Sequence, residues 1–354
     1  MGVDTAVREL AVAQCRAGAD VHLLVNGGWA DEGVRAAGVE VHETGPAGAL
    51  CRLKSLASSA AVLHNRGVWS PTTLLPLLTG RQLLLRSAIS PHGCLAAEAL
   101  RAKRWKKRAA WCALFGRAVH AHGVILASSQ AERADIRVHC PNHPVLILPN
   151  TLAAPVGVAR AAGLRQAAVG FLGRLTPVKG VLELVQAWLR IASAYPGWRL
   201  RLAGPAEDRA YVDRVRRQAA ACPSISIEDA RYGAAKWRFL RECGIIAVPS
   251  RAENFCLVVA EAYLMGTPVL ATAGVPWPEL QTLSMGWRGA GDPMSLANLL
   301  RTAITANAGE RAAMGARGKA FVEAEFGHSA VARQSFAIYD RFGSDRGVGR
   351  GAGG

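Results

Sequence analysis

A chain of 354 residues, 51% hydrophobic and 19% charged, has the composition of a globular protein and enough length for two α/β domains. Its net charge of +16 points to an anionic partner: nucleic acid, an acidic membrane face or a phosphorylated substrate. No run approaches the roughly 18 apolar residues of a membrane-spanning helix, and the opening MGVDTAVRELAVAQ carries acids early and is not a secretory signal. The eight cysteines are scattered without a CxxC pair, so their spacing gives little support to a zinc or redox site, and a reduced, cytoplasmic protein is expected. Nucleic acid is not the expected partner, because zinc-finger, RNP and helix-turn-helix signatures are absent.

In chain order, Thr5–Ala17 has helical periodicity, and Val21–Val25, Ala61–His64, Leu83–Arg86, Val124–Ala127 and Val145–Leu148 read as short buried strands, with a helix over Leu100–His120. The alternation implies a doubly wound parallel sheet. It breaks after Pro149–Asn150–Thr151, and 152–165 is an Ala/Gly/Pro-rich linker. Strands resume at Ala168–Leu172, Arg199–Ala203, Ile225–Ile227, Ile245–Pro249 and Pro268–Ala271, so a second domain of similar kind is expected over 166–328. The first domain is 1–151. A last helix is expected around Ala330–Phe342, within a segment 329–343, and the Gly-rich tail 344–354 reads as disordered.

The motifs cluster in the second half. FLGRLTPVKG (171–180) places Gly173, Arg174 and Lys179 on a loop after a strand, and two fixed cations there suit a diphosphate. Solvated basic residues on a turn are the plain alternative. In RAENFCLVVAEA (251–262), Glu253 precedes a helix and Glu261 lies about two turns inside it. Eight residues at about 100° each leave the two acids about 80° apart on a helix, so one shared face is not required. Backbone amides at Asn254, Phe255, Cys256 and Leu257 open that helix, and a helix N-terminus attracts phosphate. A carboxylate such as Glu261 accepts hydrogen bonds from paired ribose hydroxyls. Together these residues describe a nucleoside-diphosphate site.

FLGRLTPVKG, PSRAENFCLVVAEA and MGTPVLAT, with YGAAKW (232–237), GVPWPEL (274–280) and MGWRG (285–289), resemble the donor domain of family 4 retaining glycosyltransferases, in particular bacterial enzymes of lipopolysaccharide or exopolysaccharide assembly. The resemblance implies the α/β GT-B architecture, two Rossmann-like domains facing a cleft. It implies that Arg174 and Lys179 bind and stabilise the donor diphosphate, that Glu261 holds the ribose, and that Glu253 contacts the donor sugar with the backbone of Asn254, Phe255 and Cys256. It further implies that no metal or other cofactor takes part and that the anomeric configuration is retained. His92 in SPHG matches the family histidine near the donor sugar, with a capping or core histidine as the alternative. His64, Asn65, Arg66 and Trp69, after another strand, are acceptor-side candidates, and Pro149–Asn150 matches a structural hinge-adjacent pair.

Arg101, Lys103, Arg104, Lys106, Lys107 and Arg108 surround Trp105 without an acid. Two readings stand: contact with an anionic membrane or phosphorylated lipid acceptor, with Trp105 and Trp111 at the interface, or a solvated helix start with its tryptophans in the core. One departure from the family concerns the start. Relatives begin with a strand and a Gly-Gly loop; here only Gly2 of the pair is present, so a donor contact at Gly2 is doubtful and two strands are expected to have unpaired edges. IEDARYG also departs from the family, with no functional account. The expected function is transfer of a sugar from a nucleotide-sugar donor to a hydroxyl of a growing, lipid-linked glycan, at the inner membrane face. A truncated, inactive relative that only binds nucleotide sugars is the alternative.

Overall fold

The computed structural model describes residues 2–25, 32–56, 62–74, 87–101, 104–155 and 165–344. The expected strand Leu83–Arg86, Lys103, most of the 152–165 linker and the tail after 344 lie outside the described residues. The chain forms two compact units, one of 1–151 with 326–354, the other of 152–325.

In the first unit, β1 (His22–Val25) and β2 (Glu40–Glu43) form one parallel pair. β3 (Leu63–Arg66), β4 (Ser87–Ser90), β5 (Val124–Ala127) and β6 (Val145–Ile147) form a separate parallel sheet in that order. β1 and β3 therefore each carry an edge with no strand partner among the described residues. Helix Gly2–Arg16 serves both sheets. Its Ala11 joins Val34, Val39 and Val41 beside the pair, while Leu10 joins Ala88, Val124, Leu126 and Leu148 on the larger sheet. Burying one such leucine contributes about 1.5–3 kcal/mol. The C-terminal helix His328–Ser344 closes the same cluster through Val331 and Ile338. Gln14 Nε2 donates to Ser335 Oγ at 2.9 Å, and His328 Nε2 lies 2.7 Å from Glu9 Oε2.

The second unit holds one six-stranded parallel sheet: β7 (Gln166–Leu172), β8 (Arg199–Ala203), β9 (Ile225–Glu228), β10 (Cys243–Val248), β11 (Val269–Thr272) and β12 (Gly286–Gly289), ordered β12-β11-β10-β7-β8-β9. β10 is buried along its whole length, hence its unbroken run of small and apolar residues. Alternation sets the two faces. Val169 and Phe171 pack with Val181, Leu184 and Leu296 from helices Val181–Leu189 and Pro293–Thr305. Gly170 faces the other way, where a Cβ would come within 2.5 Å of Cys243 Sγ. The chain leaves β9 and returns beside β7 as β10, so strand order reverses between β7 and β10. The carboxyl ends of the two strands at such a switch point are the usual ligand position in these sheets.

β2 and β12 are strands the periodicity does not show. EVHE is mostly polar and GWRG is half glycine, so neither carries an apolar run. The expected helix Leu100–His120 is interrupted: Ala97–Arg101 and Arg104–Ala110 precede a single π turn, Trp111–Phe115, before Gly116–His120. Among the described residues no helix is long and apolar enough to cross a membrane.

Candidate functional site

The loops after β7 and β10 meet at the switch point. Gly173 N extends the β7–β8 ladder to Ala203 O at 3.0 Å. The chain then makes a 3₁₀ turn, Pro177–Lys179, and enters helix Val181–Leu189 through Gly180 at φ 66°. Arg251 N donates to Val178 O at 2.8 Å and ties the second loop to the first. This brings Lys179 Nζ to 2.5 Å from Glu253 Oε1, both side chains largely buried.

The second loop is held from behind. Glu253 N donates to Gly274 O at 3.1 Å, and Trp277 Nε1 donates to Phe255 O at 2.5 Å with its ring against Phe255. Cys256 takes the left-handed conformation, φ 66°, at the entry of helix Leu257–Leu264. A non-glycine residue there costs about 1–2 kcal/mol, and here it turns the chain so that the helix's first amides, which have no acceptor within the helix, open toward the loop. Glu261 is 7% exposed, and Lys236 Nζ of helix Gly233–Glu242 lies 2.6 Å from its Oε1. Lys236 lies within YGAAKW, yet its pairing with Glu261 across 25 residues is not visible in sequence. Ser250 Oγ and Thr176 Oγ1, one in each loop, are buried without a hydrogen-bond partner. Arg174 stands apart from this group: it is about half exposed and pairs with Glu207 at 3.2 Å. Gly2 is the first residue of helix Gly2–Arg16 and belongs to the other unit.

Burial pushes the Cys256 thiol well above its ordinary range, helped by the Glu253 carboxylate; it lifts Cys140 to about 11 and Cys243 to about 12. Cys51 and Cys112 are exposed. Brief alkylation of the folded protein at pH 8, read by peptide mass spectrometry, is expected to label Cys51 and Cys112 and to spare Cys140, Cys243 and Cys256. Labelling of Cys256 at the rate of Cys51 would mean an open loop.

In the first unit, SPHG forms a tight turn after β4 with His92 at φ 49°. Glu132 is the residue that holds this turn, and its role is not visible in sequence. Fully buried, it accepts from Gly93 N at 2.5 Å through one oxygen and from Ser128 N at 2.7 Å and Ser128 Oγ at 2.6 Å through the other. His92 Nε2 lies 2.9 Å from Arg66 Nη1. Burial, then the Arg66 charge, hold His92 down to about 3, and burial lowers Arg66 to about 10. Among the described residues Arg66 forms no ion pair with a carboxylate. With Ser90, His92, Ser128, Asn150 and Thr151 it lines a small polar pocket.

The other acceptor-side candidates have partners inside the protein. His64 lies 2.8 Å from Tyr339 Oη and 2.7 Å from Ser90 Oγ, bracing β3 against the C-terminal helix. Asn65 Oδ1 accepts from Arg66 N at 2.9 Å. Trp69 donates to Cys94 O at 3.2 Å and packs on Trp111 and Phe115. The basic helix divides as well. Trp105 is 72% exposed with Lys106 over its ring, and Arg104 and Arg108 are exposed. Trp111 is partly buried against the core, Lys107 Nζ turns in to Ala99 O at 2.5 Å, and Arg101 pairs with Glu98.

The depressed histidines set a pH dependence. Folded His92 stays neutral to about pH 3, and His122 to about pH 4, whereas the unfolded residues take up a proton near 6.5. The unfolded state binds more protons in that window, so stability falls as pH drops through it. From pH 6.5 to about 5 each histidine is expected to cost about 2 kcal/mol. Melting curves of His92→Asn, which tolerates positive φ, are expected to show a shallower decline with acid. An unchanged slope would place the acid sensitivity elsewhere.

Residues 166–305 match the family model described as "Glycosyl transferases group 1". Among curated proteins, the D-inositol 3-phosphate glycosyltransferase of Kineococcus radiotolerans is 30% identical over 274 residues, 66% of this chain and 60% of that protein. The protein of the same name from Stackebrandtia nassauensis is 37% identical over 116 residues, 30% and 26% of the two chains. The chain spans at most about three fifths of the length of these curated relatives. Two solved structures share the fold over nearly the whole chain. Anabaena HepE, in complex with UDP and glucose, aligns with a TM-score of 0.65 at 18% identity, covering 95% of this chain and 96% of its own. Sucrose-phosphate synthase from Thermosynechococcus elongatus aligns with a TM-score of 0.69 at 18% identity, covering 95% and 92%. The chain therefore has the GT-B fold, as its motifs suggested.

Proposed function

We propose that the chain is a glycosyltransferase that moves a sugar from a nucleoside-diphosphate sugar to a hydroxyl acceptor. The observation that carries this reading is the meeting of Lys179, Glu253 and the start of helix Leu257–Leu264 at the switch point, with buried Glu261 two turns along. Each acid is paired with a lysine, which holds the carboxylate in place. When the donor enters, Lys179 turns from Glu253 to the diphosphate, and the helix N-terminus adds amide dipoles. Negative charge on the departing diphosphate is then met by fixed positive groups, with Arg174 swinging in from the surface. Glu253, released, accepts hydrogen bonds from the donor sugar near the reacting carbon, and Glu261 accepts them from the ribose. Since cation and dipole already serve the leaving group, the transfer needs no metal, and the sugar keeps its configuration. The alignment of HepE, a structure with UDP and glucose bound, supports a UDP-sugar donor.

In the first unit, the polar pocket lined by Arg66 and His92 is assigned to the acceptor. Two acceptor classes each have an observation behind them. Arg66, partly buried and without a carboxylate partner among the described residues, suits a phosphorylated acceptor, in keeping with the name of the curated relatives. Exposed Trp105 among Arg104, Lys106 and Arg108 suits a lipid-linked glycan at the cytoplasmic membrane face, as in cell-surface polysaccharide synthesis.

The test is incubation with UDP-glucose in EDTA, with inositol phosphate in one arm and anionic vesicles carrying lipid-linked oligosaccharide in the other. Proton NMR then reads the anomeric configuration of the product. An α-linked product in either arm supports the reading and assigns the acceptor class. A β-linked product, or transfer that needs an added divalent ion, contradicts the proposed mechanism.

A further inference from the structure

Parallel pairing of β1 and β2 sets His22 directly across from Glu40, and His42 lies two residues along the same strand face as Glu40. One face of a two-stranded ladder thus carries two imidazoles and a carboxylate. Their donor atoms converge. His22 Nδ1 lies 3.0 Å from His42 Nε2 and 3.3 Å from Glu40 Oε2, and His42 Nε2 lies 3.3 Å from Glu40 Oε1. The triangle has the size that geometry demands of a bound ion. Three ligands at about 2.0–2.1 Å from one tetrahedral centre stand roughly 3.3 Å apart.

We propose that His22, Glu40 and His42 bind a single divalent ion of the zinc class, which clips β1 to β2. Two histidines and one carboxylate are a common zinc set, with water as the fourth ligand. The fourth position has access to solvent, because Glu40 is about half exposed while both rings are mostly buried. The outer shell is half built. Asp20 Oδ2 lies 3.4 Å from His22 Nε2, so a carboxylate receives the ring's other N–H, as metal-bound histidines require. A two-stranded sheet is marginal by itself, and among the described residues β1 and β2 pair only with each other. An ion there adds cohesion where hydrogen bonding is least. It lies outside the loops proposed to carry transfer and does not alter the metal-free reading of that step.

Arg52 guards the site. Its Nε donates to His42 Nδ1 at 3.3 Å and its Nη2 to Glu40 Oε1 at 3.1 Å. This assigns the His42 proton to Nε2, where it points at His22. For an ion to enter, that proton moves to Nδ1, Nε2 presents its lone pair, and Arg52 turns away into solvent. No proton is gained or lost overall. Arg52 is 40% exposed and free to do so. Arg52→Gln removes the competing cation and offers an amide oxygen to the new Nδ1–H.

The test uses the full chain, stripped with chelator and desalted, titrated with Zn²⁺ against a chromophoric indicator and with Co²⁺ by absorption. One ion per chain at micromolar affinity or tighter is expected, with tetrahedral cobalt bands and no thiolate charge-transfer band. His42→Ala and the surface change Glu40→Gln are each expected to weaken binding at least tenfold, and Arg52→Gln to tighten it severalfold. Absence of micromolar binding overturns the proposal. So does binding that both ligand variants leave unchanged, or a thiolate band, which would assign the ion to cysteines.

Discussion

Glu253→Gln is expected to lower the rate of sugar transfer about a hundredfold to a thousandfold, the scale set by losing one preorganised polar group at a reacting centre, while nucleotide binding holds or tightens slightly. The sign of the second effect follows from the ion pair. Glu253 competes with the diphosphate for Lys179 at 2.5 Å; a neutral glutamine leaves the lysine to the phosphates. Glu261→Gln is expected to do the opposite. Each hydrogen bond to a charged acceptor is worth about 1.5–3 kcal/mol and the neutral glutamine oxygen keeps part of the pair, so nucleotide affinity falls roughly tenfold to a hundredfold. Transfer at saturating donor changes far less. Glutamine keeps the volume at both sites, and Lys236 retains an oxygen to bond at position 261. Single-turnover rates and calorimetric affinities on both variants separate the roles. Parallel loss of affinity in both would show that the acids do not divide the donor between them.

Gly180→Ala is expected to destabilise the second unit by about 3 kcal/mol and to lower its melting temperature by roughly 6–10 °C. Gly180 sits at φ 66°, where alanine costs about 1 kcal/mol or more. Its added Cβ would lie 2.0 Å from Pro249 O, a backbone atom at the end of β10 that cannot turn aside. The clash forces apart the loops that carry Lys179 and Glu253, so nucleotide affinity falls with stability. Gly197→Ala is the control. A Cβ added at that glycine would meet no atom within 4 Å, and its φ is not positive, so the change is expected to stay within about 0.5 kcal/mol. Equal melting points for the two variants would contradict the close packing of the 180 and 249 backbones.

The donor loops are legible in the sequence because their chemistry is local. FLGRLTPVKG holds a strand end and a turn, RAENFCLVVAEA a loop and a helix start, each with its charged residues within a dozen positions, and the structure brings Lys179 to Glu253 as one loop beside the other. Lys236 and Glu132 are not legible, since each works on a group 25 or 39 residues away, brought near only by packing. Polar strands are a second blind spot with a further consequence. EVHE lacks an apolar run, so periodicity does not announce β2, and without β2 nothing places Glu40 and His42 beside His22. Small residues mislead in the same way at SAIS, which forms fully buried β4 just after the apolar run that reads as strand. Among the described residues β1–β2 and β3–β6 form two separate sheets. That helix Gly2–Arg16 serves both of them, through Ala11 on one side and Leu10 on the other, depends on packing the sequence does not display.

The most direct test of the donor site is calorimetric titration of the purified chain with UDP, GDP and ADP, with Glu261→Gln beside it. Binding of one nucleotide at one site per chain, weakened at least tenfold in the variant, is the expected result. A chain that melts cooperatively and binds none of the three, or binds one equally well without the Glu261 carboxylate, would contradict the assignment of residues 166–305 as a working nucleotide-sugar domain.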